Sequence, residues 1–155
     1  MNSIQASFEH HVQSTPPLRV FVLEDDMDLS AVIERVLRSI DPMISLDWAT
    51  SAEEALAIIQ PSSSPYDWPV YDLIVSDIFL DGKSTGIDFW RTCQESFPDT
   101  PVVMTSALSL DRFFSTIGRD SVCPPFLQKP FTPKECKQIF QNMLGYSSRR
   151  HRRIV

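Results

Sequence analysis

The sequence predicts an α/β fold in which five strands alternate with five helices and form a parallel sheet covered on both faces. Three observations predict it. There are five short apolar runs of strand length, stretches with apolar residues at helical spacing lie between them, and prolines, glycines or acids stand at most of the junctions. At 155 residues and 43% hydrophobic content, the chain is long enough for one domain and too apolar for a disordered segment.

Residues 1–17 mix polar residues without periodicity and end in Pro16-Pro17, so they read as a flexible leader. The domain is expected over residues 18–145. LRVFVL, rich in β-branched and aromatic residues and bounded by acids, is the first strand, with the character of one buried on both faces. Leu29, Val32, Ile33, Val36, Leu37 and Ile40 form the apolar stripe of the first helix, with Asp28 expected as its N-cap and Asp41-Pro42 as its stop. The strand MISLDWA and the helix SAEEALAIIQ follow, the latter opened by Ser51 and Glu54 at capping-box spacing. Three prolines in PSSSPYDWPV block regular structure, and Tyr66 and Trp68 there are expected to pack against the second helix. The strand YDLIVS comes next. After an irregular loop come the helix GIDFWRTCQESF, the strand PVVMTS, the helix LSLDRFFSTIG, the strand PFLQ and a last helix, TPKECKQIFQNML, expected to end at Gly145. Residues 146–155, with RRHRR, read as a basic flexible tail.

Composition narrows the function. Cys93, Cys123 and Cys136 are odd in number and have no histidine at metal-ligand spacing, which suggests neither a disulfide framework nor a zinc site. Arg149, Arg150, Arg152 and Arg153 contribute +4 to a net charge of −6, leaving −10 for the rest, which argues against a DNA-binding domain. No stretch has the length of a membrane span, and the first residues lack the order of a secretory signal, so a cytoplasmic protein is expected.

Ligands of a doubly wound sheet bind at the carboxyl ends of its strands, and the residues standing there are Glu24-Asp25-Asp26, Asp77, Ser106-Ala107 and Lys129-Pro130. In the flavodoxin-like strand order 2-1-3-4-5 these groups converge on one edge. Carboxylates packed together raise one another's pKa unless a cation neutralises them, and Mg2+ suits an all-oxygen site that also takes phosphate oxygens. An aspartate there can attack a phosphoryl donor, since loose phosphoryl transfer needs mainly alignment and charge neutralisation. Lys129 would supply a second cation and the Ser106 hydroxyl a hydrogen bond to the phosphoryl group.

EDD after the first strand, VSD after the third, TSA after the fourth and QKPF after the fifth resemble the bacterial response-regulator receiver family, over about Leu18 to Leu144. The resemblance implies that a histidine kinase or phosphotransfer protein phosphorylates Asp77. It implies that Asp25 binds Mg2+ directly, Glu24 binds it through water, and the Phe79 carbonyl completes the protein ligands. Register favours Glu24 and Asp25 over Asp26, which is expected to be solvated. In the family the hydroxyl residue, here Ser106, moves toward the phosphoryl group while an aromatic on the last strand, here Phe126, turns inward, and the Lys129-Pro130 bond is cis. Phe126 lacks a hydroxyl, which favours a buried rotamer. Residues two beyond the acceptor and two beyond the hydroxyl residue border the attacking water, and Phe79 and Leu108 there are apolar, so slow loss of phosphate is expected. The loop DIFLDGKSTG departs from the family pattern, with Asp81 where proline is common and one extra residue before Gly86.

No output module follows Gly145, so a stand-alone receiver signalling through an unknown effector protein is expected, one that catalyses only its own phosphorylation and dephosphorylation. The sequence is compatible with a homodimer. Three competing readings are a receiver that works without phosphate, a haloacid-dehalogenase-like phosphatase, and a receiver acting on a separate enzyme or DNA-binding effector. The phosphatase needs a second acid where Phe79 stands. GKST is not a P-loop, since the required glycine five positions earlier is Asp77. His10 and His11 fall in the leader and are expected to be solvated.

Overall fold

The strands β1 (Arg19–Leu23), β2 (Ser45–Ala49), β3 (Leu73–Asp77), β4 (Val102–Ser106) and β5 (Phe126–Gln128) form one sheet of parallel neighbours in the order β2-β1-β3-β4-β5. This is the expected doubly wound order. The computed structural model describes residues 16–59, 71–80, 85–118 and 122–151. Residues 1–15 of the leader, with His10 and His11, the loop with Tyr66 and Trp68, Asp81 and the first three residues of GKST, and Arg152 and Arg153 lie outside the described residues.

The helices are α1 (Met27–Ile40), α2 (Ala52–Ile59), α3 (Gly86–Ser96), α4 (Leu110–Ile117) and α5 (Pro133–His151). Both faces of the sheet are covered, which is why β3 and β4, buried along their whole length, read as unbroken apolar runs in the sequence. On one face Val20, Val22, Val75 and Val103 pack with Ile33 and Leu37 of α1 and Phe140 of α5. On the other, Phe21, Ile74 and Met104 pack with residues of α2, α3 and α4, including Ala55, Phe89 and Phe113. Cys93 and Cys136 are buried in these layers, and burial pushes each thiol up to about 12, as suits unreactive core residues. No helix among the described residues is long and apolar enough to cross a membrane.

Local polar residues set the helix starts. Asp26, not Asp28, is the N-cap of α1, accepting hydrogen bonds from the N–H groups of Asp28 and Leu29. The helix therefore begins one residue after the cap, at Met27, and Asp28 lies in the first turn, where its charge suits the helix dipole. Both positions satisfy a composition rule, and only backbone geometry separates them. At α2 the Ser51 hydroxyl accepts from Glu54 N–H as expected, while the Glu54 carboxylate binds the N–H of Thr50. Thr85 and Asp88 make a reciprocal capping box at α3, which accounts for the threonine of GKST. Ser109 caps α4, which ends at Gly118 with φ 90°.

The last helix does not stop at Gly145; it runs to His151. A glycine inside a helix costs only about 1 kcal/mol relative to alanine, and Gly145 has no positive φ to turn the chain away.

Candidate functional site

The parallel register brings the ends of β1, β3, β4 and β5 to one edge of the sheet. Glu24 and Asp25 follow β1, Asp77 closes β3, Ser106 closes β4, and Lys129 follows β5. Lys129 Nζ donates to Glu24 Oε2 and to Asp77 Oδ2, each at 2.9 Å, so one ammonium bridges two buried carboxylates. Glu24 Oε1 also accepts from the N–H of Asp26 at 3.1 Å. Lys129 is held in turn by its own N–H, which donates to the Ser106 carbonyl at 2.7 Å, and the Lys129-Pro130 bond is cis as expected.

Burial pushes the carboxyls of Glu24 and Asp77 above their ordinary values, and the hydrogen bonds from Lys129 offset only part of that. For Lys129 desolvation pulls the pKa down, but hydrogen bonds to Asp77 and Glu24 outweigh it and leave the ammonium more firmly protonated. The edge thus carries more negative charge than its one lysine neutralises. Carboxylate oxygens of Glu24, Asp25 and Asp77 lie within 4.8 Å of one another. Three hard oxygen donors short of positive charge fit a divalent cation, and this donor set suits Mg2+.

The remaining candidates surround this centre. Ser106 is fully buried, and its Oγ accepts from Leu108 N–H at 3.1 Å, a contact that uses a lone pair and not the O–H. Phe79 N–H approaches Asp77 Oδ1 at 3.4 Å, while Phe79 as a whole is 57% exposed. Leu108 is partly buried against the core. Phe126 is half-buried and stacks on Phe113 with ring centroids 4.3 Å apart, so its ring lies on α4 instead of being fully enclosed. Asp26, expected to be solvated, is exposed and also serves as the α1 cap.

Two residues of the site were not singled out from sequence. Gly86 N–H donates to the Ile78 carbonyl at 3.0 Å, and a Cβ at Gly86 would sit 1.7 Å from the Asp77 carbonyl oxygen. The glycine is therefore required for the α3 start to approach the acceptor strand this closely. Thr105 is the second, a polar residue of β4 that follows three apolar ones and stands in register with Asp77.

A doubly wound parallel sheet with three carboxylates and a lysine gathered at its carboxyl edge defines a receiver-type α/β domain. The family model of the response regulator receiver domain matches residues 20–141, and the chain belongs to that family of two-component systems. It is 27% identical over 118 residues to response regulator RppA of Synechocystis, covering 76% of this chain and 47% of that protein. Its identity to the DNA-binding response regulator MtrA of Mycolicibacterium paratuberculosis is 30% over 119 residues, again 76% of this chain and 47% of that protein. The chain thus spans about half the length of these curated relatives. Among solved structures, the chemotaxis response regulator CheY4 of Vibrio cholerae shares the fold with a TM-score of 0.65 at 21% identity, over 83% of this chain and 99% of that one.

Proposed function

We propose that this receiver domain takes a phosphoryl group onto Asp77 from a phosphohistidine of a histidine kinase or phosphotransfer protein, and that the modification switches a surface read by an effector protein. The observation that carries this reading is the Lys129 ammonium held between buried Glu24 and Asp77, a cation already in place beside a nucleophile. A carboxylate oxygen of Asp77 forms the new O–P bond as the bond from phosphorus to the donor nitrogen breaks, and the bonding pair leaves with that nitrogen. Mg2+, held by Glu24, Asp25, Asp77 and the Phe79 carbonyl, would neutralise charge on the phosphoryl oxygens. Lys129 binds a phosphoryl oxygen from the opposite side, and Ser106 donates its O–H to another. Phe126 leaves or keeps its stack on Phe113 according to where Ser106 sits, and this transmits the change to α4.

The domain turns over no metabolite on this reading. Phe79 and Leu108 place two apolar side chains where a water would have to be oriented, so the acyl phosphate is long-lived. The acidic body favours a protein partner over direct contact with nucleic acid.

The test is incubation with Mg2+ and acetyl phosphate, followed by intact-mass measurement over time. One added phosphoryl group that persists for many minutes is expected. No gain would favour a receiver that works without phosphate, steady phosphate release from varied monoesters would favour a phosphatase, and a half-life of seconds would defeat the roles given to Phe79 and Leu108.

A further inference from the structure

Thr105 is fully buried, and its hydroxyl is the one buried side-chain oxygen or nitrogen among the described residues that finds no hydrogen-bond partner. An unpaired hydroxyl in a strand interior destabilises the fold, and valine would fill the same space without that penalty. The position explains why a hydroxyl is useful there. Side chains alternate along a strand, so Thr105 shares the α1/α5 face of the sheet with Val103, and Asp77 shares it with Val75. Thr105 pairs in register with Asp77 on one side and with Leu127 on the other.

Lys129 lies two residues beyond Leu127, and its Nζ reaches Asp77 on β3 and Glu24 beyond β1. With the strands in the order β1-β3-β4-β5, the lysine arm must cross the end of β4 on this face, which is where Thr105 stands. The ammonium has three hydrogens, and Glu24 and Asp77 receive two of them.

We infer that Thr105 is a positioning residue for Lys129, its hydroxyl accepting from the ammonium once phosphorylation loosens the lysine's hold on Asp77. The inference rests on Asp77 as the acceptor. In the acyl phosphate one Asp77 oxygen carries the phosphoryl group and the carboxylate charge is gone, so the ammonium turns to a phosphoryl oxygen and its third hydrogen, which the two carboxylates never used, is aimed anew. Thr105 Oγ1, fixed on a buried strand below the arm, takes it. The hydroxyl is unpaired in the unmodified protein because the bonds to the two carboxylates hold the ammonium where its third hydrogen does not meet Thr105 Oγ1.

The test compares wild type with Thr105→Val and Thr105→Ser, using beryllofluoride with Mg2+ as a mimic of the phosphoryl group. Without it, Thr105→Val should unfold at the same or a higher denaturant concentration than wild type. With it, Thr105→Val should bind the mimic roughly tenfold more weakly, the effect of one hydrogen bond to a charged group. Phosphoryl uptake from phosphoramidate should slow to a similar degree, and Thr105→Ser should restore both. A merely structural role would shift loaded and unloaded proteins alike. If Thr105→Val binds beryllofluoride and takes phosphate as wild type does, the inference is overturned while the reading of Asp77 stands. If wild type does neither, the reading of Asp77 falls and takes the inference with it.

Discussion

The two ends of the sheet hold similar groups and put them to different use. At the carboxyl edge Lys129 joins Glu24 and Asp77, which are almost wholly buried. At the opposite edge Arg19 pairs with Asp47 at 3.0 Å, lies over the Tyr71 ring at 5.2 Å, and donates its N–H to Asp72, while the Tyr71 hydroxyl donates to Asp47 at 2.8 Å. The Arg19–Asp47 pair is about 40% exposed on both sides, 41% and 38%, so water screens it and it contributes little beyond local order. The buried pair is short of positive charge, and a single compact ammonium can exchange one oxygen partner for another. A rigid guanidinium against an aromatic ring does not. Burial and the choice of cation separate the two edges.

That contrast breaks most clearly under substitution of the cations. Lys129→Met should slow phosphoryl uptake from acetyl phosphate by about 10²- to 10³-fold, the usual loss when one donor to a developing charge is removed. A rate within threefold of wild type would contradict the role given to Lys129. Gly86→Ala comes next, because the added Cβ would meet the Asp77 carbonyl. Urea unfolding should show a loss of about 3 kcal/mol. An unchanged midpoint would mean that the α3 start can retreat without disturbing the acceptor.

The two edges also differ in how pH acts on them. Glu24 and Asp77 sit above their ordinary values, so the folded chain holds their protons more tightly than the unfolded chain does. Without Mg2+, these two groups should therefore lower stability as pH rises from about 4, the ordinary carboxylate range, through their raised values. Asp88 and Glu135, held low by hydrogen bonds from Thr85 and Thr132, act in the opposite sense: their contribution is present above the ordinary range and is lost as pH falls through their folded values. Glu24→Gln with Asp77→Asn should flatten the decline in unfolding free energy as pH rises above about 4. An unaltered slope would place the source elsewhere. The smallest effect belongs to the amino edge: Arg19→Met should cost less than about 1 kcal/mol in unfolding and leave phosphoryl uptake unchanged.

The sequence made the carboxyl edge far more legible than the amino edge. Strand-end motifs stand out in combination: an acid or lysine after one apolar run reads as an ordinary loop or cap residue, but the strand order brings several of them to one edge. Glu24, Asp25, Asp77 and Lys129 could thus be placed once the strand order was inferred. The Arg19, Asp47 and Tyr71 cluster joins single residues from three separate strands or loops, each unremarkable alone. Asp26 and Asp28 are interchangeable as caps in composition, and Gly145 reads as a stop although glycine ends a helix only where the backbone turns, which it does not do here. Gly86 and Thr105 depend on approach and register across strands, and no local pattern contains those.

Asp77, at the carboxyl edge, is the proposed acceptor. Wild type, Asp77→Asn and Asp47→Asn are incubated with Mg2+ and phosphoramidate, and their intact masses are compared. One added phosphoryl group on wild type and Asp47→Asn, and none on Asp77→Asn, is the predicted result. A gain that survives in Asp77→Asn would contradict the assignment.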